Sequence, residues 1–181
     1  MAQEKKMKFN PRFIEAFASD QKTTSLRMMD FKCRHYEETG DYPAAYFHEE
    51  KLKYNAYVSS VDGINISLPS GTTLNYSSNL IGLLKRQPYG HGDKIELVAE
   101  HRSGETAPFA TANIAEIIII KGDQINNTLA IMDGFNPDYD PLSELFAFMR
   151  NVYPTKDPVA EMYWLYTFTS VQMLPTWGGE A

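Results

Sequence analysis

Four histidines, one cysteine and one run of oxygen-bearing side chains are the residues here whose types suit chemistry, and their spacing limits what each can do. His35, His48, His91 and His101 are scattered along the chain. An isolated histidine is ordinarily a surface or packing residue; His91, between Gly90 and Gly92, is the most exposed by its setting and so the best placed to react. Asp133, Asn136, Asp138 and Asp140 form an oxygen-rich cluster. They lack the D-x-[DN]-x-[DN]-G spacing and distant glutamate of a calcium loop, so helix starts and turns account for them. Gly90-x-Gly92 is too short for a phosphate-binding fingerprint and reads as a helix C-cap leading into a strand. No serine, cysteine or histidine is set beside a base as a nucleophile would need. The expectation is a protein without catalytic residues, metal or cofactor.

The bulk composition narrows the classes further. The chain has 181 residues and 43% hydrophobic content, enough for one core. A net charge of −6 gives no broad field for nucleic acid or an anionic membrane. Lys5, Lys6, Lys8 and Arg12 make a local basic start, which reads as a solvated tail. The single Cys33 excludes an intrachain disulfide and fits a reducing compartment. No apolar run approaches the roughly 20 residues of a membrane helix, and the polar start MAQEKKMKFN lacks a secretory apolar core. A soluble, unprocessed, cytoplasmic protein is expected, with no membrane insertion and no nucleic-acid partner.

Three Asx-Pro pairs predict where helices start, because the capping side chain precedes a proline that needs no N–H there. Asn10-Pro11 predicts a helix over about 11–18, Asp140-Pro141 one over about 141–153, and Asp157-Pro158 an aromatic-rich one over about 158–173. Between them the texture is β-prone. Strands are expected at 28–36, 56–61, 64–68, 72–76 and 95–99, with turns at Asp62-Gly63 and Ser70-Gly71. Helices are expected over 42–54 and from Ser78 or Asn79 to about Lys85. For 106–132 two readings stand: a helix from Thr106-Ala107-Pro108, or a hairpin of 116–120 with 127–132, since four consecutive isoleucines favour a strand.

Ser78-Asn79-Leu80-Ile81-Gly82-Leu83-Leu84, then Gly90-His91-Gly92-Asp93-Lys94-Ile95-Glu96-Leu97-Val98-Ala99-Glu100, resembles the second half of HPr, the histidine phosphocarrier of the bacterial sugar phosphotransferase system. Thr39-Gly40-Asp41-Tyr42-Pro43-Ala44-Ala45 is similar to that family's loop into its first helix. The resemblance spans about 28–120 and implies an α+β fold, an HPr-like open-faced sandwich with an antiparallel sheet and helices on one face. Residues 1–27 would be an N-terminal extension with a short helix, and 121–181 a helical appendage packed on the core. The family's phosphorylated histidine is missing: Gly40 and Pro43 enclose only Asp41 and Tyr42, and the loop is two residues shorter. Asn79 stands at the family's regulatory serine position, with Leu80 and Ile81 at its docking positions.

The expected function is therefore that of a non-catalytic HPr-like regulator or adaptor, acting by binding another protein. Its partner surface would combine Asp41, Tyr42 and Tyr46 with Ser78, Asn79, Leu80, Ile81 and Leu84. An alternative is a structural or assembly subunit, a phage or envelope component, with its terminal helices making oligomer contacts. Tyr163, Trp164, Tyr166 and Phe168 on the C-terminal helix would supply a homo-oligomer face. A third reading is a working phosphocarrier using a displaced histidine, His48 or His91.

Overall fold

The computed structural model describes residues 5–28, 55–59, 63–67, 73–76 and 87–175. The N-terminal segment alternates: Met7 and Phe9 are buried while Lys5, Lys6 and Lys8 are exposed, which is the period of a strand with one covered face. It forms β1 (Lys5–Phe9). Asn10 then accepts from the Arg12 N–H at 3.0 Å, and Pro11 opens a 3₁₀ turn that runs into α1 (Ile14–Ala18). β2 (Thr24–Met28) follows. After it come β3 (Asn55–Ser59), β4 (Gly63–Ser67) and β5 (Thr73–Tyr76), an antiparallel three-stranded sheet in that order. Of the turns expected at Asp62-Gly63 and Ser70-Gly71, Gly63 opens β4, and Asp62, Ser70 and Gly71 lie outside the described residues, as do the strand expected at 29–36 and the helices expected over 42–54 and 78–85.

The larger sheet is built from both ends of the chain. β6 (Lys94–Glu100), β7 (Thr106–Lys121) and β8 (Met162–Met173) join β1 and β2 in the order β1-β6-β7-β8-β2. β1 lies parallel to β6, with Lys5 opposite Ile95 and Phe9 opposite Ala99; the other pairs are antiparallel. Register shifts interrupt β6–β7 at Leu97/Val98 and β7–β8 at Thr111/Asn113 and Ile114/Glu116. Ser170, inside one of these irregularities, has φ of 52°. Such bulges bend and twist a strand, which lets the 16 residues of β7 follow a curled sheet. α2 (Asn127–Met132) and α3 (Pro141–Val152) connect β7 to β8, capped by Asn126 and Asp140.

The core lies inside the curl and under the helices. Phe9, Phe17, Phe109 and Phe168 form one ring cluster, with Phe9–Phe17 centroids at 5.0 Å and Phe17–Phe109 at 5.5 Å. Phe13, Phe135 and Phe148 form a second, edge to face at 5.3–5.9 Å. Arg12 lays its guanidinium over all three rings of the second cluster, 5.3 to 5.6 Å from their centroids.

Several sequence expectations need correction. The basic start is no solvated tail: Lys5, Lys6 and Lys8 pair with Asp93, Glu96 and Glu100 at 2.6, 2.9 and 2.8 Å along the parallel β1–β6 seam. Pairs this exposed contribute about 0–1 kcal/mol each, so they set register more than stability. The expected helix over 158–173 is strand β8. Its apolar residues are contiguous because both faces are covered, a pattern that a helix apolar all round shares. Asp157 still accepts from the Val159 N–H at 3.1 Å, but it caps a turn. Tyr163, Trp164, Tyr166 and Phe168 are buried within the chain, which removes the proposed oligomer helix. Thr106-Ala107-Pro108 opens a strand, and 127–132 is helical, so neither reading of 106–132 holds whole; the strand over 116–120 pairs with β8 instead.

The HPr-like sandwich is also overturned. That fold would gather the strands of 28–120 into one antiparallel sheet. Here β3, β4 and β5 form a separate sheet, while β6 sits between β1 and β7 and touches a parallel neighbour from residues 5–9. The boundaries expected at 28 and 121 thus fall within one sheet. What stands is the coarser class, a mixed α+β fold. Among the described residues no helix is long and apolar enough to cross a membrane.

Gly122 gives a direct check of how α2 and the β8 approach are seated. Its N–H donates to the Glu161 carbonyl at 2.8 Å, and a Cβ there would lie 2.1 Å from the Pro158 carbonyl oxygen. Backbone cannot yield as a side-chain tip does, so Gly122→Ala should cost about 3 kcal/mol in urea unfolding. Unchanged stability would show that 158–161 is not held against Gly122.

Candidate functional site

A five-stranded sheet has two edges, and here its curl brings them face to face. Lys6 and Lys8, two residues apart on β1 and so facing the same way, offer their carbonyls outward. Lys6 O accepts from Tyr89 Oη at 2.8 Å, and Lys8 O accepts from Arg27 Nη2 on β2. Arg27 Nε donates to Ser25 Oγ at 3.0 Å, and its guanidinium lies 4.8 Å from the Phe9 ring centroid. Tyr89 stands edge-on to Tyr166 of β8 at 5.3 Å. Tyr166 Oη in turn donates to Gln87 Oε1 at 2.9 Å. Burial pushes both phenols up from their ordinary range, so they remain O–H donors.

The β2 edge is covered by the end of α2. Thr23 N–H donates to Met132 O at 2.9 Å, and Leu26 N–H donates to Asp133 Oδ1 at 3.2 Å. Thr24 Oγ1 reaches the same oxygen at 3.3 Å, and Gln21 Nε2 donates to the Ile131 and Phe135 carbonyls. Lys22 completes the junction: its Nζ contacts the Asp133 carbonyl and lies 3.2 Å from Asp133 Oδ1. The ammonium is also 4.6 Å from the Phe13 centroid and 5.6 Å from those of Phe9 and Phe17.

This pair is almost dry, with Lys22 2% and Asp133 4% exposed. Burial lowers the Lys22 pKa and raises that of Asp133; their mutual attraction and hydrogen bond oppose both shifts without cancelling them. Removing two ions from water costs more than their contact returns unless further hydrogen bonds help, and here Leu26 N–H, Thr24 Oγ1 and three ring faces do so.

Where the edges approach, they leave a cavity of about 370 Å³. Lys22 and Asp133 line it together with Ser25, Leu26 and Arg27 from β2. Phe9 and Phe13 contribute apolar wall, and Phe148, Met149 and Tyr153 close the side formed by α3. Lys8, Asn10, Glu100 and the half-exposed Val152 also line it. The volume lies in the small-molecule range of roughly 300–1,000 Å³, and aromatic walls with a few fixed polar groups are the usual make-up of such sites.

The sequence candidates stand elsewhere. Asp41, Tyr42, Tyr46, Ser78, Asn79, Leu80, Ile81 and Leu84 lie outside the described residues, as do Cys33, His35 and His48. His91 is exposed in the turn before β6, and Gly92, with φ of 82°, donates to Ile114 O at 2.7 Å. The oxygen cluster disperses into caps and turns: Asn136 accepts from Asp138 N–H, and Asp140 from Ser143 N–H and Oγ. Asp133 alone of that group reaches the cavity. Among the described residues no three His, Cys, Asp or Glu side chains converge as a metal cage. Lys22 and Arg27 were missed because nothing local marks them; Lys22 and its partner are 111 positions apart.

Comparison with protein-family models gives no match, and neither does comparison with curated proteins. Among solved structures, the chain is similar to the crystal structure of protein EF3133 from Enterococcus faecalis V583, described under the family model DUF984. The identity is 12%, the match covers 100% of this chain and 85% of that one, and the TM-score is 0.48. A likeness at that level carries neither fold nor function across. Nothing in these comparisons points to the HPr family, in keeping with the sheet order.

The buried pair can be tested by its coupling. Lys22→Met strands the Asp133 carboxylate and Asp133→Asn strands the ammonium, so each should cost about 3–5 kcal/mol in denaturant unfolding. The double variant should recover most of one of these losses, because a neutral amide still accepts from Leu26 N–H. Strictly additive losses would show that the two side chains act separately.

Proposed function

We propose that the chain works by binding rather than by catalysis, and that its working site is the cavity between β1, β2 and α3, which takes a small molecule. The observation that carries this reading is the state of the cavity's ionisable floor. Lys22 and Asp133 are engaged with one another and with Leu26 and Thr24, which suits a fixed binding surface better than proton transfer. The walls support the same reading: Phe9, Phe13 and Phe148 line the cavity with rings that are already ordered by their own contacts. Preordered aromatic walls reduce the entropy lost when a ligand binds. A regulatory role, in which ligand binding is passed to a partner protein, fits a cytoplasmic protein whose lone Cys33 would stay reduced.

Fragment screening by methyl NMR tests the site. Val152 lines the cavity and is 49% exposed, so Val152→Trp can fill the mouth without opening the core. Hits should shift the methyl signals of Leu26 and Met149 in the parent chain, and the Trp variant should lose those shifts. Hits that map elsewhere, or persist in Val152→Trp, contradict the site; consumption of a bound molecule contradicts the absence of catalysis.

A further inference from the structure

The donors and acceptors around the cavity are unequally committed, and that inequality defines the ligand. Each carboxylate in the lining already has a cation: Glu100 is paired with Lys8 at 2.8 Å and Asp133 with Lys22 at 3.2 Å. Arg27 is different. A guanidinium carries five N–H donors. Among the described residues two of them have acceptors, Ser25 Oγ for Nε and Lys8 O for one N–H of Nη2. Arg27 lines the cavity, and Asn10 and Ser25 in the same lining also have donors left to give. Asn10 accepts the Arg12 N–H through Oδ1, which leaves its amide N–H₂ to donate, and Ser25 Oγ, which accepts from Arg27, keeps its own hydrogen. In a chain of net charge −6 this lining carries three cations against two anions.

We infer that the ligand is a small aromatic carboxylate, its carboxylate taken by Arg27 and its ring laid against the Phe13–Phe148 pair. This rests on the binding function proposed above and adds the chemistry of the ligand. Arginine suits the role because its planar fork matches the two oxygens of a carboxylate, and its position is already fixed by Phe9, Ser25 and Lys8. The ring assignment follows from the walls. Phe13 and Phe148 meet edge to face at 5.3 Å and are held from behind by Arg12, so they offer a rigid aromatic surface of a kind that favours a ring over a flexible chain.

Three probes of one shape separate the possibilities: indole-3-acetate, its neutral amide indole-3-acetamide, and the cationic tryptamine, each titrated calorimetrically into the full chain. The acid should bind at least about tenfold more tightly than the amide, since a charged hydrogen-bonded pair is lost, and tryptamine should not bind measurably. Val152→Trp should abolish binding of the acid, and Arg27→Gln should weaken it about tenfold or more. Because Arg27 also joins two strands, the comparison of acid with amide on the unmodified chain decides the matter if that variant fails to fold. If amide or tryptamine binds as well as the acid at a Val152→Trp-sensitive site, the carboxylate inference is overturned and the cavity reading stands. If none of the three binds while other fragments still shift Leu26 and Met149, the outcome is the same. If nothing shifts those methyls, both readings fall.

Discussion

The edges of the five-stranded sheet are the constraint on which the remainder depends. An edge strand exposes unpaired backbone donors and acceptors, and a curled sheet that does not close by a ladder must satisfy them otherwise. On β1 the outward carbonyls of Lys6 and Lys8 are met by Tyr89 Oη and Arg27. At the β2 edge the N–H groups of Thr23, just before the strand, and of Leu26 are met by Met132 O and Asp133 Oδ1. Side chains and a helix end thus do the work that a further strand pairing would do in a closed barrel. The seating of the α2 end and the burial of Lys22 belong to this arrangement.

The same solution creates the cavity. A ladder brings strands to about 4.8 Å and leaves no room between them. A guanidinium bridging two edges holds them further apart, and the ring faces of Phe9 and Phe13 cover the gap from below. The buried Lys22–Asp133 pair is costly in itself, and its retention fits a role in fixing geometry: it ties the approach to β2 to the α2 end, on the strand from which Arg27 reaches Lys8 O. Binding surface and fold closure share residues here, so stability and ligand affinity should be coupled at Arg27 more than at Val152.

Local structure was legible in the sequence to the extent that its causes are local. Asn10-Pro11 and Asp140-Pro141 mark helical starts because cap and proline act within a few residues. β3, β4, β5 and β6 lie near their expected places because β-branched and aromatic runs act within a few residues. Asp157-Pro158 failed because the same cap chemistry serves a turn, and β8 was misread because a doubly covered strand has no alternation to distinguish it from a buried helix. The resemblance around Gly90–Glu100 captured a turn and a strand, a pattern too common to specify topology. The parallel β1–β6 pairing and the Lys22–Asp133 contact join residues about 90 and 111 positions apart, and no window of sequence contains both partners. The candidate site, made wholly of such contacts, was correspondingly invisible.

Arg27 on one edge strand clasps Phe9 and Lys8 on the other. Isotope-edited NOE spectroscopy on the intact chain reads this clasp directly through the Arg27 side-chain protons. A clasped Arg27 gives cross-peaks from its Hε and Hδ to the Phe9 ring, signals moved upfield by that ring, and slow exchange of β1 amides. Arg27 side-chain protons at random-coil shifts with no Phe9 contact, and β1 amides exchanging freely, would contradict it.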